Sequence, residues 1–307
     1  MTGRTMLLDS ASLYFRAFYG VPDTVKAPDG SPVNAVRGFL DIIAKLVTDY
    51  GPESLVACWD DDWRPRWRVD LIPSYKAHRV ARLVPGGVDV EETPEALVGQ
   101  VPIIRQVLDA LGIVIVGAAE HEADDVIGTL ATRASGPVDV VTGDRDLFQL
   151  VDDERDVRII YTARGMSNLE LVTGEVVERR YGVRGDQYAD FAAMRGDTSD
   201  GLPGVAGIGE KTAAALLADY GDLAGIVAAA EDSSSGMKPA ARARFAAARD
   251  YLAVAPRVVE VVRDLPLPEV DARLAPPSAE QRAALTALSE KWGLGGSLDR
   301  LLTALER

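Results

Sequence analysis

Nine carboxylates stand where a hydrolytic metal site could be built: Asp9, Asp60, Glu122, Asp124, Asp125, Asp144, Asp146, Asp197 and Asp200. The densest group, Glu122-Ala123-Asp124-Asp125, sits directly before the apolar run Val126-Ile127-Gly128-Thr129-Leu130. Acidic residues complement the positive end of a helix dipole, so this group alone reads as a helix start. The others change that reading. Asp9, Asp60, Asp144 and Asp146 each follow a short apolar stretch, and Asp197 and Asp200 are spaced to share one face of a turn. Convergent carboxylates without counter-ions repel by several kcal/mol at any reasonable effective dielectric. Bound divalent cations remove that repulsion, and oxygen-only ligation favours Mg²⁺ or Mn²⁺ over zinc.

Convergence requires elements that aim these residues at one place. Residues 5–8, 55–59, 113–116 and 138–141 read as short buried strands. Helical spacing runs through 34–50 and 101–111, where Gly112 follows as a cap, and a further helix runs from the acidic group to about residue 134. Strands alternating with helices predict an α/β domain with a mainly parallel sheet and helices on both faces. Ligands of such sheets bind outside the carboxyl ends of the strands, so Asp9, Asp60, Asp144 and Asp146 are expected to share a crevice. The helix at 122 delivers its carboxylates to the same side, Glu122 and Asp124 beside the hydrolytic ion and Asp125 toward Asp144 and Asp197.

Forty-seven Asp and Glu against 33 Lys and Arg give a net charge of -14, which by itself argues against a nucleic-acid partner. Carboxylates that hold cations invert that logic, and the positive charge is concentrated in one stretch. Trp63-Arg64-Pro65-Arg66-Trp67-Arg68 and Tyr75-Lys76-Ala77-His78-Arg79, with Arg82 beyond, interleave basic and aromatic residues. That composition suits phosphate contact and base stacking, or else a surface loop anchored by its tryptophans. Residues 201–212 form a Gly-rich turn entering a helix, with the backbone freedom to approach a phosphate or to surround a cation with carbonyls. The single cysteine, Cys58, excludes an internal disulfide framework and a cysteine zinc site. The start, Met1 to Arg4, carries no signal-peptide pattern and no apolar run reaches membrane-spanning length, so a cytoplasmic protein is expected.

With these pieces in order, the chain resembles the 5′ nuclease family, the 5′→3′ exonuclease domain of bacterial DNA polymerase I and the flap endonucleases. The resemblance rests on LLDS (7–10), WDDD (59–62), YKAHR (75–79), EADD (122–125), TGDRDLFQL (142–150), GDTSDGLPGVAGIGEKTA (196–213) and RDLPLPEVD (263–271). It implies a PIN-like nuclease core over 1–185 with a helical arch at about 63–100. A helical DNA-binding region over 186–307 would hold a helix–three-turn–helix element at about 190–220 and a C-terminal strap returning to the core. The nine carboxylates would carry two or more Mg²⁺ or Mn²⁺ ions, with Lys76 and Arg79 as catalytic cations. Arg16, Arg68, Tyr75, Arg82, Gly207, Gly209, Lys211 and Thr212 would contact DNA, Tyr75 by stacking near the unpaired 5′ end. The Val205 and Ile208 carbonyls would hold K⁺.

The implied activity is structure-specific hydrolysis of DNA at 5′ flaps, nicks or 5′ ends, including RNA-primed ones, by a free-standing, nucleoid-associated monomer. The sequence departs from the family pattern at Gly201, where Asn is usual, and in the Trp-rich stretch 59–67. A non-catalytic DNA-binding relative should have lost metal carboxylates, and none is missing. A single-strand ribonuclease would not need the duplex-gripping turn at 201–212.

Overall fold

The computed structural model describes residues 3–306; Met1 and Thr2 of the leader reading, and Arg307, lie outside the described residues. The chain opens with β1 (Thr5–Asp9), α1 (Ser10–Gly20), α2 (Asn34–Tyr50) and β2 (Ser54–Trp59). Helix α2 forms where apolar residues recur three and four apart. Val36, Phe39, Leu40, Ile43, Leu46 and Val47 are all buried, and Gly51 ends the helix at a left-handed φ of 56°. Next come α3 (Arg66–Leu71), a 3₁₀ turn (Ala77–Arg79), β3 (Val80–Arg82), β4 (Val90–Glu91), α4 (Glu95–Val98), α5 (Val101–Leu111) and β5 (Val114–Gly117). Helix α6 (Ala123–Arg133) leads to β6 (Val138–Thr142), β7 (Val157–Tyr161), β8 (Glu170–Val172), α7 (Gly174–Tyr181) and α8 (Tyr188–Arg195).

The six-stranded sheet has the order β5-β2-β1-β6-β7-β8. All neighbours are parallel except β8, which runs antiparallel along the β7 edge. The expected mainly parallel sheet is therefore present, extended by β7 and β8, which the sequence pattern did not single out. Register sets Asp9 opposite Cys58 and Leu8 opposite Val141, so the carboxyl ends of β1, β2 and β6 finish at one edge. Both faces are covered, as a parallel sheet requires. Val126, Ile127, Phe148, Tyr188 and Phe191 belong to one core, and Phe39, Ile43, Leu108, Leu298 and Leu301 to the other.

The remaining helices are α9 (Glu210–Tyr220), α10 (Leu223–Glu231), α11 (Pro239–Ala247), α12 (Arg249–Leu252), α13 (Ala255–Val259), α14 (Ala279–Trp292) and α15 (Gly295–Leu305). A proline-rich strap then returns along the core, where the Leu55 amide donates to the Ala272 carbonyl at 2.9 Å and that of Leu274 to Glu53 at 2.9 Å. Leu285 of α14 and Leu294, Leu298 and Leu301 at α15 share a core with Phe39 and Ile43 of α2, so the last two helices cover the α2 side of the sheet. Among the described residues no single helix is long and apolar enough to cross a membrane.

The segment 63–100 departs from the helical arch expected of it. Its middle is the antiparallel pair β3 and β4, with Val80 paired to Glu91 and Arg82 to Val90. Pro85-Gly86-Gly87 cannot continue a helix, and Gly86 turns the chain at a φ of 74° between β-branched Val84 and Val88.

Candidate metal centre

The carboxyl edge of the sheet is where the acidic residues meet. Asp9 caps α1: its Oδ1 accepts from the Ser12 amide at 3.2 Å, while its Oδ2 accepts from Thr142 Oγ1 of β6 at 2.7 Å. Asp60, one residue beyond β2, accepts from the Ala123 amide at 2.8 Å, which ties the β2 edge to the start of α6. Glu122 caps α6, and its Oε1 accepts from Arg68 at 2.9 Å and from the Tyr75 hydroxyl at 2.6 Å. Its Oε2 pairs with the Lys76 ammonium. Asp9, Asp60, Glu122, Asp124 and Asp144 line one cavity of about 240 Å³, together with Lys76, Arg79 and Glu91.

Asp146 adjoins this cluster through its backbone amide, which donates to Asp144 Oδ1 at 2.9 Å. Asp197 and Asp200 come from the loop after α8. Asp197 pairs with Arg195 at 3.2 Å and lies 3.8 Å from Arg145, while Asp200 pairs with Arg79 at 3.0 Å. That loop is docked on the segment before the 3₁₀ turn by the Lys76 amide, which donates to the Asp200 carbonyl at 2.9 Å.

Charge repulsion is written into these groups. Burial, then Asp60, pushes the Asp9 carboxyl up to about 7. Burial followed by Asp9 and Asp144 raises Asp124 well above the usual carboxylate range, and burial with Asp144, Asp200 and Asp197 does the same to Asp146. Asp60 and Asp200 are raised chiefly by burial. Burial also pushes Asp197 up, but hydrogen bonds from Ser199 and the charges of Arg195 and Arg145 outweigh it and leave the group low. Burial disfavours the Lys76 ammonium, but Glu122 and then Tyr75, Asp200 and Asp124 together outweigh it, so the charged form is strongly held.

A divalent cation fits this donor set. Asp146 Oδ1 is buried and has no hydrogen-bond partner among the described residues, an arrangement that costs free energy unless something positive meets it. Among the described residues no three His, Cys, Asp or Glu side chains already close on one point as a finished ligand shell. Like charges held at the rim of a crevice stay apart, and here Lys76 and Arg79 occupy positions between them.

Three expected site residues are placed elsewhere. Asp125 does not face Asp144 and Asp197: it is fully buried, holds Arg68 at 2.7 Å and accepts from the Val262 amide at 2.9 Å. Arg68 is not a DNA contact, because its guanidinium is buried between Glu122 and Asp125. Tyr75 is only 4% exposed and donates to Glu122, so it offers no ring to an unpaired base. Burial of these large polar side chains is affordable only because each finds a charged partner.

Of the remaining expected residues, Val205 and Ile208 are buried and the others are on the surface or at the rim. Arg16 stands beside Gly143 with its Nε unpartnered, and Arg82, Gly209, Lys211 and Thr212 are exposed. In the Gly-rich turn the Ile208 amide donates to the Val205 carbonyl at 2.9 Å, and Arg244 donates to the Gly207 carbonyl at 3.0 Å. Sequence reasoning missed Glu91, which reaches the crevice from β4, and Thr142, whose hydroxyl orients Asp9. Thr142 opens the quoted TGDRD block, so position at a strand end was an available signal; Glu91 lies in the second strand of a hairpin whose one sequence signal is Pro85-Gly86-Gly87.

Comparison with known proteins matches this architecture. Residues 4–182 match the family model for the 5′-3′ exonuclease, N-terminal resolvase-like domain, and 183–281 match that for the 5′-3′ exonuclease, C-terminal SAM fold. A 5′-3′ exonuclease of Streptomyces coelicolor is 63% identical over 98% of this chain and 99% of its own length. One of Mycobacterium tuberculosis is 49% identical over 100% and 99%. Among solved structures, the T5 D15 protein co-crystallised with metal ions superposes with a TM-score of 0.64 at 16% identity, covering 99% of this chain and 100% of the other. The catalytic core of Rad2 in complex with DNA substrate does so at 0.59 and 17%, covering 99% and 92%, and at such identities these two establish a shared fold. With both of its family models matched in order and a full-length relative at 63% identity, the chain belongs to the 5′-3′ exonuclease family.

Proposed function

We propose that this protein is a structure-specific 5′ nuclease that hydrolyses DNA phosphodiesters at 5′ flaps, nicks and 5′ ends, including RNA-primed ends met in replication and repair. The observation that carries the reading is the crevice in which Asp9, Asp60, Glu122, Asp124 and Asp144 converge beside the unpartnered Asp146. These carboxylates would hold two or more Mg²⁺ or Mn²⁺ ions, directly or through water, and such ions would supply an activated water and offset charge on the attacking and leaving oxygens. Asp197 and Asp200 complete the acidic rim. Lys76 and Arg79 face the same crevice, and they stabilise negative charge developing on the scissile phosphate. Arg79 must then exchange Asp200 and the Ser199 carbonyl, its partners at 3.0 and 2.7 Å, for phosphate oxygens.

Exposed Lys211 and Thr212 at the start of α9, with Gly207 and Gly209 before them, are suited to the duplex backbone. K⁺ bound by the Val205 and Ile208 carbonyls would bridge that turn to a phosphate. Arg16, beside Gly143, and the exposed Arg82 would extend the basic footprint. The protein would act as a monomer on nucleoid DNA in the cytoplasm.

The test compares a 5′-labelled flap duplex with single-stranded RNA, in Mg²⁺ and in chelator. Mg²⁺-dependent release of the flap is expected, with RNA cut far more slowly. Equal rates on both substrates would replace this reading with that of a single-strand ribonuclease.

A further inference from the structure

Glu122 is the most heavily partnered of the crevice carboxylates, and its partners are unequal. Oε1 faces inward and accepts from Arg68 Nη1 at 2.9 Å and from the Tyr75 hydroxyl at 2.6 Å. Oε2 faces the crevice and, among the described residues, meets only the Lys76 ammonium. One oxygen is therefore satisfied by buried donors, and the other is free to exchange one cation for another.

Arg68 is itself fixed on every side. Its Nη1 and Nη2 donate to the two oxygens of Asp125 at 2.8 and 2.7 Å, and its Nε donates to the Val258 carbonyl at 3.1 Å. The Trp67 ring lies against the guanidinium, 4.5 Å from centroid to Cζ. This is the bidentate fork that arginine makes and lysine cannot. Asp125 spends both oxygens on the arrangement, since it also accepts from the Val262 amide at 2.9 Å. It has no lone pair directed at the crevice; its charge keeps a buried guanidinium in place. Arg68, on α3, thus ties the start of α6 to the 258–262 segment, where the helical region meets the core.

We propose that Arg68 is a positioning residue for the metal centre: locked by Asp125 and the 258–262 segment, it holds Glu122 Oε1 and presents Oε2 alone to the ion. The proposal rests on the reading of the crevice as a divalent-metal site. Groups that orient a ligating carboxylate from behind typically change metal affinity by about 10–100-fold when lost.

The experiment titrates Mn²⁺ into DNA-free protein, followed by electron paramagnetic resonance, for wild type, Arg68→Lys and Tyr75→Phe. Lysine keeps the charge near the ion, so a change in affinity reports geometry and not Coulomb attraction. Arg68→Lys is expected to weaken Mn²⁺ binding by at least about tenfold, and Tyr75→Phe, which removes one donor to the same oxygen, by a smaller factor. In flap cleavage both should lower kcat with KM for DNA unchanged, and added Mn²⁺ should restore part of the loss. A purely structural role would move the melting temperature and leave the Mn²⁺ affinity of the folded fraction untouched. If Arg68→Lys fails to fold, Tyr75→Phe decides. Wild-type Mn²⁺ affinity in a folded variant overturns the proposal alone, whereas a wild-type protein that binds no Mn²⁺ overturns the metal-centre reading with it.

Discussion

Gly201→Ala separates two reasons for the glycine that follows Asp200. Gly201 sits at a left-handed φ of 70°, and a Cβ built on it would lie 2.1 Å from the Ser74 carbonyl oxygen. The same contact joins the acidic loop to the segment carrying Lys76. Ser74 Oγ donates to the Gly201 carbonyl at 2.7 Å, and the Lys76 amide to the Asp200 carbonyl at 2.9 Å. Alanine in the left-handed region costs about 1 kcal/mol, and relieving the clash opens two hydrogen bonds worth about 1 kcal/mol each, so roughly 3 kcal/mol is at stake. Relief also moves Asp200 away from Arg79 by about 1 Å, a displacement of the size that can cost about 100-fold in rate. The assay is a thermal melt beside single-turnover flap cleavage in Mg²⁺. Both variants, Gly201→Ala and Gly201→Asn, are expected to melt several degrees lower and cleave about 10–100-fold more slowly. Asparagine tolerates positive φ but has the same Cβ, so it isolates the contact with Ser74. A Gly201→Asn protein that melts and cleaves like wild type refutes the reasoning.

Three further outcomes follow from the geometry. Asp146→Asn removes a charge whose Oδ1 is buried and, among the described residues, unpartnered beside other acids; calorimetry should show a higher melting temperature without metal and weaker Mn²⁺ binding. In metal-free protein the Asp9 carboxyl is raised from 3.8 to about 7, so the neutral form is favoured on folding. Its contribution to stability is full below 3.8 and is lost as pH rises through about 7, so the Mg²⁺-induced gain in melting temperature should be larger near pH 8 than near pH 6. A gain that is flat with pH would contradict this. Arg244→Ala frees the Gly207 carbonyl that it holds at 3.0 Å; fluorescence anisotropy should show weaker duplex binding with cleavage at saturating DNA nearly unchanged.

What the sequence made legible follows strand ends. Asp9, Asp60 and Asp144 could be assigned to one crevice because parallel strands finish at a common edge and each residue stands just past a short apolar run. Asp125 could not be assigned that way. It lies within the same four residues as Glu122 and Asp124, but its partner is Arg68, 57 positions away, and only tertiary packing turns it from the ion to the guanidinium. Tyr75 and Arg68 look like nucleic-acid contacts in sequence because aromatic and basic residues interleave there. Packing against α8 and α13, with ion pairs and hydrogen bonds to Glu122 and Asp125, buries both and leaves Lys76 and Arg79 of that stretch at the crevice. The hairpin of β3 and β4 was legible only through Pro85-Gly86-Gly87, a short break inside a stretch otherwise open to helix.

The most direct test is crystallographic. Crystals soaked in Mn²⁺ should show anomalous peaks within the crevice, contacted by Asp9, Asp60, Glu122 through Oε2, Asp124, Asp144 and Asp146, directly or through water, with Asp125 still on Arg68. A crevice without a peak, or an ion bound by Asp125, would contradict the metal centre described here.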